Sequence, residues 1–263
     1  MSEASHRIKL SRAREHQETL NEHVRRYLNG HRTRTEIDPQ ASEARAHLVK
    51  PDEPPWGPVI GDCLYNLRSV LDHIVFELAE AASPSPLPKK IAESSMWPVA
   101  KTPSDFNKGG IAAKRVQGVS PGARTIIEDL QPYKYTQGSV AGLVEDPILV
   151  LDKLANIDKH RALHLVTVNA LAGIGGIVEP RADCVLRGPV EWCNPETFEN
   201  DAVLGRVPIE ITGPSPKVNM GAQVEFFVVL NESTALRWDI VDLIQHLIGY
   251  IERTVLPSLE ALL

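Results

Sequence analysis

The 263-residue chain reads as an α+β protein: a helical bundle carrying an N-terminal β-hairpin, with an antiparallel β-meander between the penultimate and last helices. Three observations predict this. Residues 59–82 and 233–255 carry apolar residues at steps of three and four, the period of a helix with one buried face. Residues 164–230 hold β-prone runs (LHLVTVNAL, ADCVLRG, VPIEIT, AQVEFFVVL) separated by Gly and Pro turns. The last helix must bury its stripe on something, and the helices of the first half are the simplest partner, which favours one unit, 1–263, over two domains.

The elements follow in order. Residues 5–30 are expected to be helical, with Leu20, Val24 and Leu28 at four-residue spacing and Asn29-Gly30 as the stop. Residues 33–50 place Thr33, Thr35 and Ile37 before a turn at Asp38-Pro39, then Ala46, Leu48 and Val49, which suits a hairpin. The breaker PDEPPWGP precedes the helix 59–82, striped by Leu64, Leu67, Leu71, Ile74, Val75 and Leu78. Residues 84–120, rich in Pro, Gly, Lys and Ser, are expected to be an extended connection with a short strand at Met96–Val99. Short helix 122–130 and helix 147–163 follow, the latter opened by Asp146-Pro147 and carrying Leu149, Val150, Leu154 and Ile157. In the final helix Leu236, Ile240, Leu243, Ile244, Leu247, Ile248, Ile251 and Val255 form one face.

Composition excludes several classes. The formal charge of −6 does not suit a general nucleic-acid coat, although residues 1–50 carry ten Lys/Arg against seven Asp/Glu. Cys63, Cys184 and Cys193 leave an odd thiol and no metal-type pair, which points to a reducing, cytoplasmic setting. The N-terminus lacks an apolar leader and no apolar run reaches membrane-spanning length, so no membrane partner is expected. Gly173-Ile174-Gly175-Gly176 lacks the strand–helix setting of a dinucleotide loop and reads as a turn, and Ser94, Ser95 and Ser139 lack a nucleophile signature. No cofactor is expected.

Chemistry-bearing residues concentrate in two helical segments. In GDCLYNLRSVLDH, Asp62, Asn66, Ser69 and His73 share a stripe, and Arg68 and Asp72 are i, i+4 neighbours on the next. In DKLANIDKHR, Asp152, Asn156 and His160 repeat every four residues, His164 continues the line, and Asp158, Lys159 and Arg161 lie alongside. Packed side by side, these helices are expected to bring His73 towards His160 and to line one groove with Arg68 and Arg161.

Arg68, four intervening residues and His73 resemble the R-x4–6-H motif of the HEPN superfamily, helical proteins that include metal-independent endoribonucleases of toxin and antiviral systems. More broadly, IGDCLYNLRSVLDH, LQPY and LANIDKHRALH, over residues 56–165, look like a family of uncharacterised bacterial proteins. A second R-x4-H, Arg26 to His31, straddles the Asn29-Gly30 stop. The HEPN resemblance implies a catalytic set of Arg68, His73, Asp72 and Asn66. His73 would be the general base or acid on a ribose 2′-hydroxyl, and Arg68 would hold the scissile phosphate. It implies RNA as substrate and a homodimer as the working form. Asn156, Asp158, Lys159, His160 and Arg161 would line the binding side, and the basic residues of the first helix would guide the phosphate backbone. Beside it stand an inactive relative of such enzymes, a non-enzymatic module binding a ligand or partner in the same groove, and a metal-dependent hydrolase using His73, His160 and Asp72 or Asp158.

Overall fold

The computed structural model describes residues 4–83, 86–107, 110–135, 145–161, 163, 165–169, 174–193, 199–224, 226–231 and 238–263. Ser139, His164, Gly173 and residues 233–237, Leu236 among them, lie outside the described residues. The architecture is mixed α+β with antiparallel strand pairing. By internal contacts the chain groups into two compact units. One comprises Met1–Asn21, Pro55–His164 and Leu230–Leu263, and the other comprises Glu22–Pro54 and Leu165–Val229.

The helical unit is built from α1 (Ser5–Gly30, through Asn21), α2 (Trp56–Ala82), α3 (Lys89–Ser94), α4 (Pro103–Phe106), α5 (Ile111–Arg115), α6 (Pro121–Asp129), α7 (Pro147–His160), α8 (Ile240–Tyr250) and α9 (Leu256–Glu260). The apolar stripe of α2 is buried along its length, from Ile60 through Leu64, Leu67, Leu71 and Ile74 to Leu78. Of the expected α7 stripe Val150 and Leu154 are buried, joined by Ile148 and Leu151, whereas Leu149 and Ile157 are half-buried. Asp146 caps α7 as its sequence suggests, with Leu149 N–H donating to its carboxylate at 2.9 Å.

Two expectations are corrected in this unit. The segment Met96–Val99 is not a strand, and the 84–120 connection holds three short helices, α3 to α5, one of them opened by a capping box between Thr102 and Asp105. The last helix is capped by Asp239, whose side chain accepts from the N–H groups of Val241 and Asp242, and it runs past residue 255 to Glu260. Between α8 and α9 the backbone widens into a π turn, Ile251–Val255, where Leu256 N–H reaches back to Ile251 O. Pro257 accounts for this. It has no N–H to give to the carbonyl four residues back and its ring crowds that carbonyl, so the wider register carries the helix into the proline. No helix among the described residues is long and apolar enough to cross a membrane.

The second unit is a small antiparallel β structure. The expected hairpin is present as β1 (Arg32–Asp38) and β2 (Glu43–Val49), with Arg32 opposite Val49 and Asp38 opposite Glu43. The remaining strands are β3 (Leu165–Asn169), β4 (Gly175–Ala182), β5 (Cys184–Leu186), β6 (Glu191–Trp192), β7 (Val203–Ile211), β8 (Lys217–Gln223) and β9 (Phe226–Leu230). The strand order is not that of a simple meander. β7 pairs with the hairpin strand β2 on one side and with β5 and β6 on the other, while β4 pairs with β8 and β3 with β9. Burial explains the order, because Ala44, Ala46 and Leu48 of β2 join Leu204, Val207 and Ile209 of β7 and Val218 and Met220 of β8 in one apolar core.

The glycine cluster expected as a turn lies in this unit as strand. Gly175 and Gly176 open β4, opposite Gln223 and Ala222. A Cβ on Gly176 would stand 2.2 Å from the Gly221 carbonyl oxygen and 2.7 Å from the Trp192 ring. Trp192 also lies against Gly205, so small residues on β4 and β7 make room for one indole. Gly176→Ala is expected to lower stability by about 2 kcal/mol, with the near-ultraviolet dichroism of the tryptophans altered. Urea denaturation checks it, and an unchanged midpoint is the opposing result.

Candidate functional site

The candidate site lies wholly in the helical unit, on α2 and two of the helices that touch it, α1 and α7. α1 meets α2 at Ser5 with Glu77, at Lys9 with Tyr65 and at Ala13 with Cys63. α7 meets it at Asp152 with Arg68 and at Asp158 with Gly61. Both neighbours therefore run antiparallel to α2.

That register corrects the expected meeting of His73 and His160. If Arg68 lies level with Asp152 and Gly61 with Asp158, then His73 lies level with the first residue of α7 and His160 with the start of α2. Thirteen helical residues separate those levels, roughly 20 Å along the axis. The two segments are neighbours, as expected, but their imidazoles do not share a site.

Arg68 is held from three sides. Its Nη2 donates to the Trp97 carbonyl at 2.8 Å, Asp72 Oδ1 lies 3.5 Å away, and Asp152 Oδ1 lies 3.9 Å from Nε. Asp72 in turn accepts from the backbone N–H of Trp97 at 2.9 Å. The i, i+4 pair of α2 thus grips both backbone polar groups of Trp97, in the 95–99 segment, whose indole is fully buried. The remaining Nη1 of Arg68 is sealed from solvent and has no hydrogen-bond partner among the described residues.

His73 faces another way. Five helical residues turn the chain by about 140° relative to Arg68, and His73 Nδ1 meets the Ser5 hydroxyl at 2.9 Å. Asn66 is not on the open stripe. It is 8% exposed, and its amide donates to Asp62 O in its own helix at 2.8 Å. Tyr65, which the sequence reading passed over, is 59% exposed and takes that place. The open strip of α2 is therefore Asp62, Tyr65, Ser69 and His73, at i, i+3, i+7 and i+11.

On α7, Asn156 is exposed and its amide reaches Asp152 at 3.2 Å. Asp158 lies against Gly61, where any side chain would collide with its carboxylate. Burial first, and the nearby Asp62 second, push the Asp158 carboxyl above the ordinary carboxylate range. Lys159, His160 and Arg161 are exposed at the C-terminal end of the helix. Among the described residues no group of three or more His, Cys, Asp or Glu side chains is placed to hold a metal ion.

The expected basic guide along α1 is largely neutralised. Arg7 pairs with Glu260, Arg12 with Glu15, Arg14 with Glu252 and Arg26 with Glu22. On the strip itself the Lys9 ammonium stands 5.4 Å from the Tyr65 ring centroid. Compared with known protein families, characterised proteins and solved structures, the chain matches no family model, no characterised protein and no solved structure.

Proposed function

We propose that the chain is a non-enzymatic, cytoplasmic binding module, and that the α2 strip takes a ligand bearing a primary amine or guanidinium. The observation that carries this is the Tyr65 ring. It is largely exposed and already has an ammonium group, that of Lys9, over its face. One turn away stand Asp62 and Asp158, close enough for Asp62 to raise the Asp158 carboxyl. An aromatic face with carboxylates beside it attracts cations, and a ligand cation would displace Lys9.

The ribonuclease reading has one observation in its favour: Arg68 and His73 lie on one long helix, as the HEPN resemblance requires, and His73 reaches the strip. Against it, the Arg68 guanidinium is already engaged by a carbonyl and two carboxylates. A phosphate would have to displace them and enter among Asp62, Asp72, Asp152 and Asp158, where like charge repels it.

One experiment separates the readings. A lysine- and arginine-rich peptide is titrated into the full chain by calorimetry, and labelled total RNA is incubated with the same protein in EDTA. The expected results are peptide binding that weakens roughly ten-fold or more in Asp62→Asn/Tyr65→Ala, and intact RNA. RNA cleavage that disappears in His73→Ala, or no peptide binding at low salt, overturns the binding-module reading.

A further inference from the structure

A second polar cluster in the helical unit has no counterpart among the sequence motifs. His6, in the first turn of α1, is 1% exposed. Its Nδ1 lies 2.6 Å from Glu77 Oε2 on α2, and its Nε2 lies 2.7 Å from Glu260 Oε1 on α9. Its backbone N–H also donates to Glu77 at 3.1 Å. Around it, Ser5 Oγ donates to Glu77 at 2.7 Å, Arg7 Nε donates to Glu260 at 2.6 Å, and His73 meets Ser5. These are the charged and titratable groups facing His6: Arg7 from α1, Glu77 and His73 from α2, Glu260 from α9.

A ring nitrogen this close to an ionised carboxylate oxygen must carry a proton, or two lone pairs would oppose each other. The Glu77 and Glu260 carboxyls are held below their ordinary range and so stay ionised, and with one on each side the ring carries two protons and a positive charge. We propose that the His6 imidazolium is a latch. It holds the first turn of α1 onto α2 and α9, and its loss of one proton releases that turn. The turn places Ser5 over His73 and, one helical turn on, Lys9 over Tyr65. On the reading that the α2 strip is the ligand site, an open latch uncovers it.

Loss of a ring proton takes one donor from His6, and with it the bond to one of the two carboxylates. For Glu77 and Glu260, burial alone would raise the carboxyls, but the bonds from Ser5 and His6 to the first, and from Arg7 and His6 to the second, outweigh it and hold both low. The acid side of the clamp is therefore lost only as pH falls through those lowered values.

The test uses the full chain. Two-bond ¹⁵N–¹H correlation reports the number of protons on the His6 ring, and amide hydrogen exchange, corrected for intrinsic rate, reports protection of residues 8–13 as pH rises. Expected are two ring protons while those amides are protected, at least a ten-fold loss of protection when the ring drops to one, and a smaller loss in Glu260→Gln, whose amide tolerates the neutral ring. Protection that persists through loss of the ring proton, a single ring proton in the protected state, or an undiminished loss in Glu260→Gln overturns the latch. No ligand enters the assay, so failure of the latch and failure of the cation-binding reading are separate results.

Discussion

Arg68→Met is expected to destabilise the protein by about 3 kcal/mol, measured by urea denaturation, with loss of order in the 95–99 segment. The arginine is 15% exposed and supplies the donor for the Trp97 carbonyl and the cation for Asp72 and Asp152. Methionine fills much the same space but leaves a carbonyl without its donor and two carboxylates without their cation. Most of the effect comes from the 2.8 Å bond to Trp97, since the ion pairs are long. Arg68→Lys is expected to recover only part, because one ammonium cannot serve directions that a planar fork serves together. A double-mutant cycle with Asp152→Asn is expected to show about 1 kcal/mol of coupling. The ribonuclease reading expects a different pattern, in which Arg68→Met folds as well as wild type and loses cleavage. An unchanged urea midpoint would remove the structural role assigned to Arg68.

That contrast shows what was legible in the sequence and what was not. The Arg68–Asp72 pair was legible because i, i+4 neighbours meet on any helix. Its purpose was not, since its partner is the backbone of Trp97, 29 residues on. The stripe of α2 was legible as a stripe, but Asn66 was assigned to its open side and Tyr65 was not. Residue polarity misleads at this point, because an asparagine that bonds the carbonyl four residues back can be buried, while a tyrosine can lie with its ring in water beneath a lysine. Helices α2 and α7 were recognised as partners from shared composition. Their antiparallel register, which parts His73 from His160, depends on how apolar stripes interlock and leaves no trace in spacing.

The clamp around His6 was wholly hidden, because His6 and Glu260 are separated by 254 positions. The same holds in the second unit. The hairpin was visible in its turn and alternation, whereas its union with β7 rests on a long-range pairing of Ala44 with Val207. A local signal did mark the cap at Asp146, whereas the Ser120 cap of α6 and the Thr102–Asp105 box went unread, the latter inside a stretch expected to be extended. Short helices with one buried residue, such as Phe106 in α4, give too little periodicity to register.

Asp146→Asn is expected to stabilise the protein by about 3 kcal/mol at pH 8 and by almost nothing at pH 3.5. Asp146 is 4% exposed and caps α7. Burial raises its carboxyl from 3.8 to about 6, against the opposing pull of the Leu149 and Ile148 N–H groups. The phenol of Tyr250 is pushed up as well, first by burial, then by Asp146 and Tyr135. The folded chain thus binds the Asp146 proton more tightly than the unfolded chain does. Ionisation opposes folding, and its cost is absent below about pH 4, grows between pH 4 and 6, and is constant above. Asparagine presents the same cap oxygen to Leu149 and never ionises, so it removes the pH-dependent cost and keeps the helix start. Urea midpoints of both forms at pH 3.5, 5 and 8 decide it: the gap should open across the middle of that range. An equal gap at all three values, or a less stable Asp146→Asn protein at pH 8, would show that the ionised carboxylate is worth more to the α7 terminus than its burial costs.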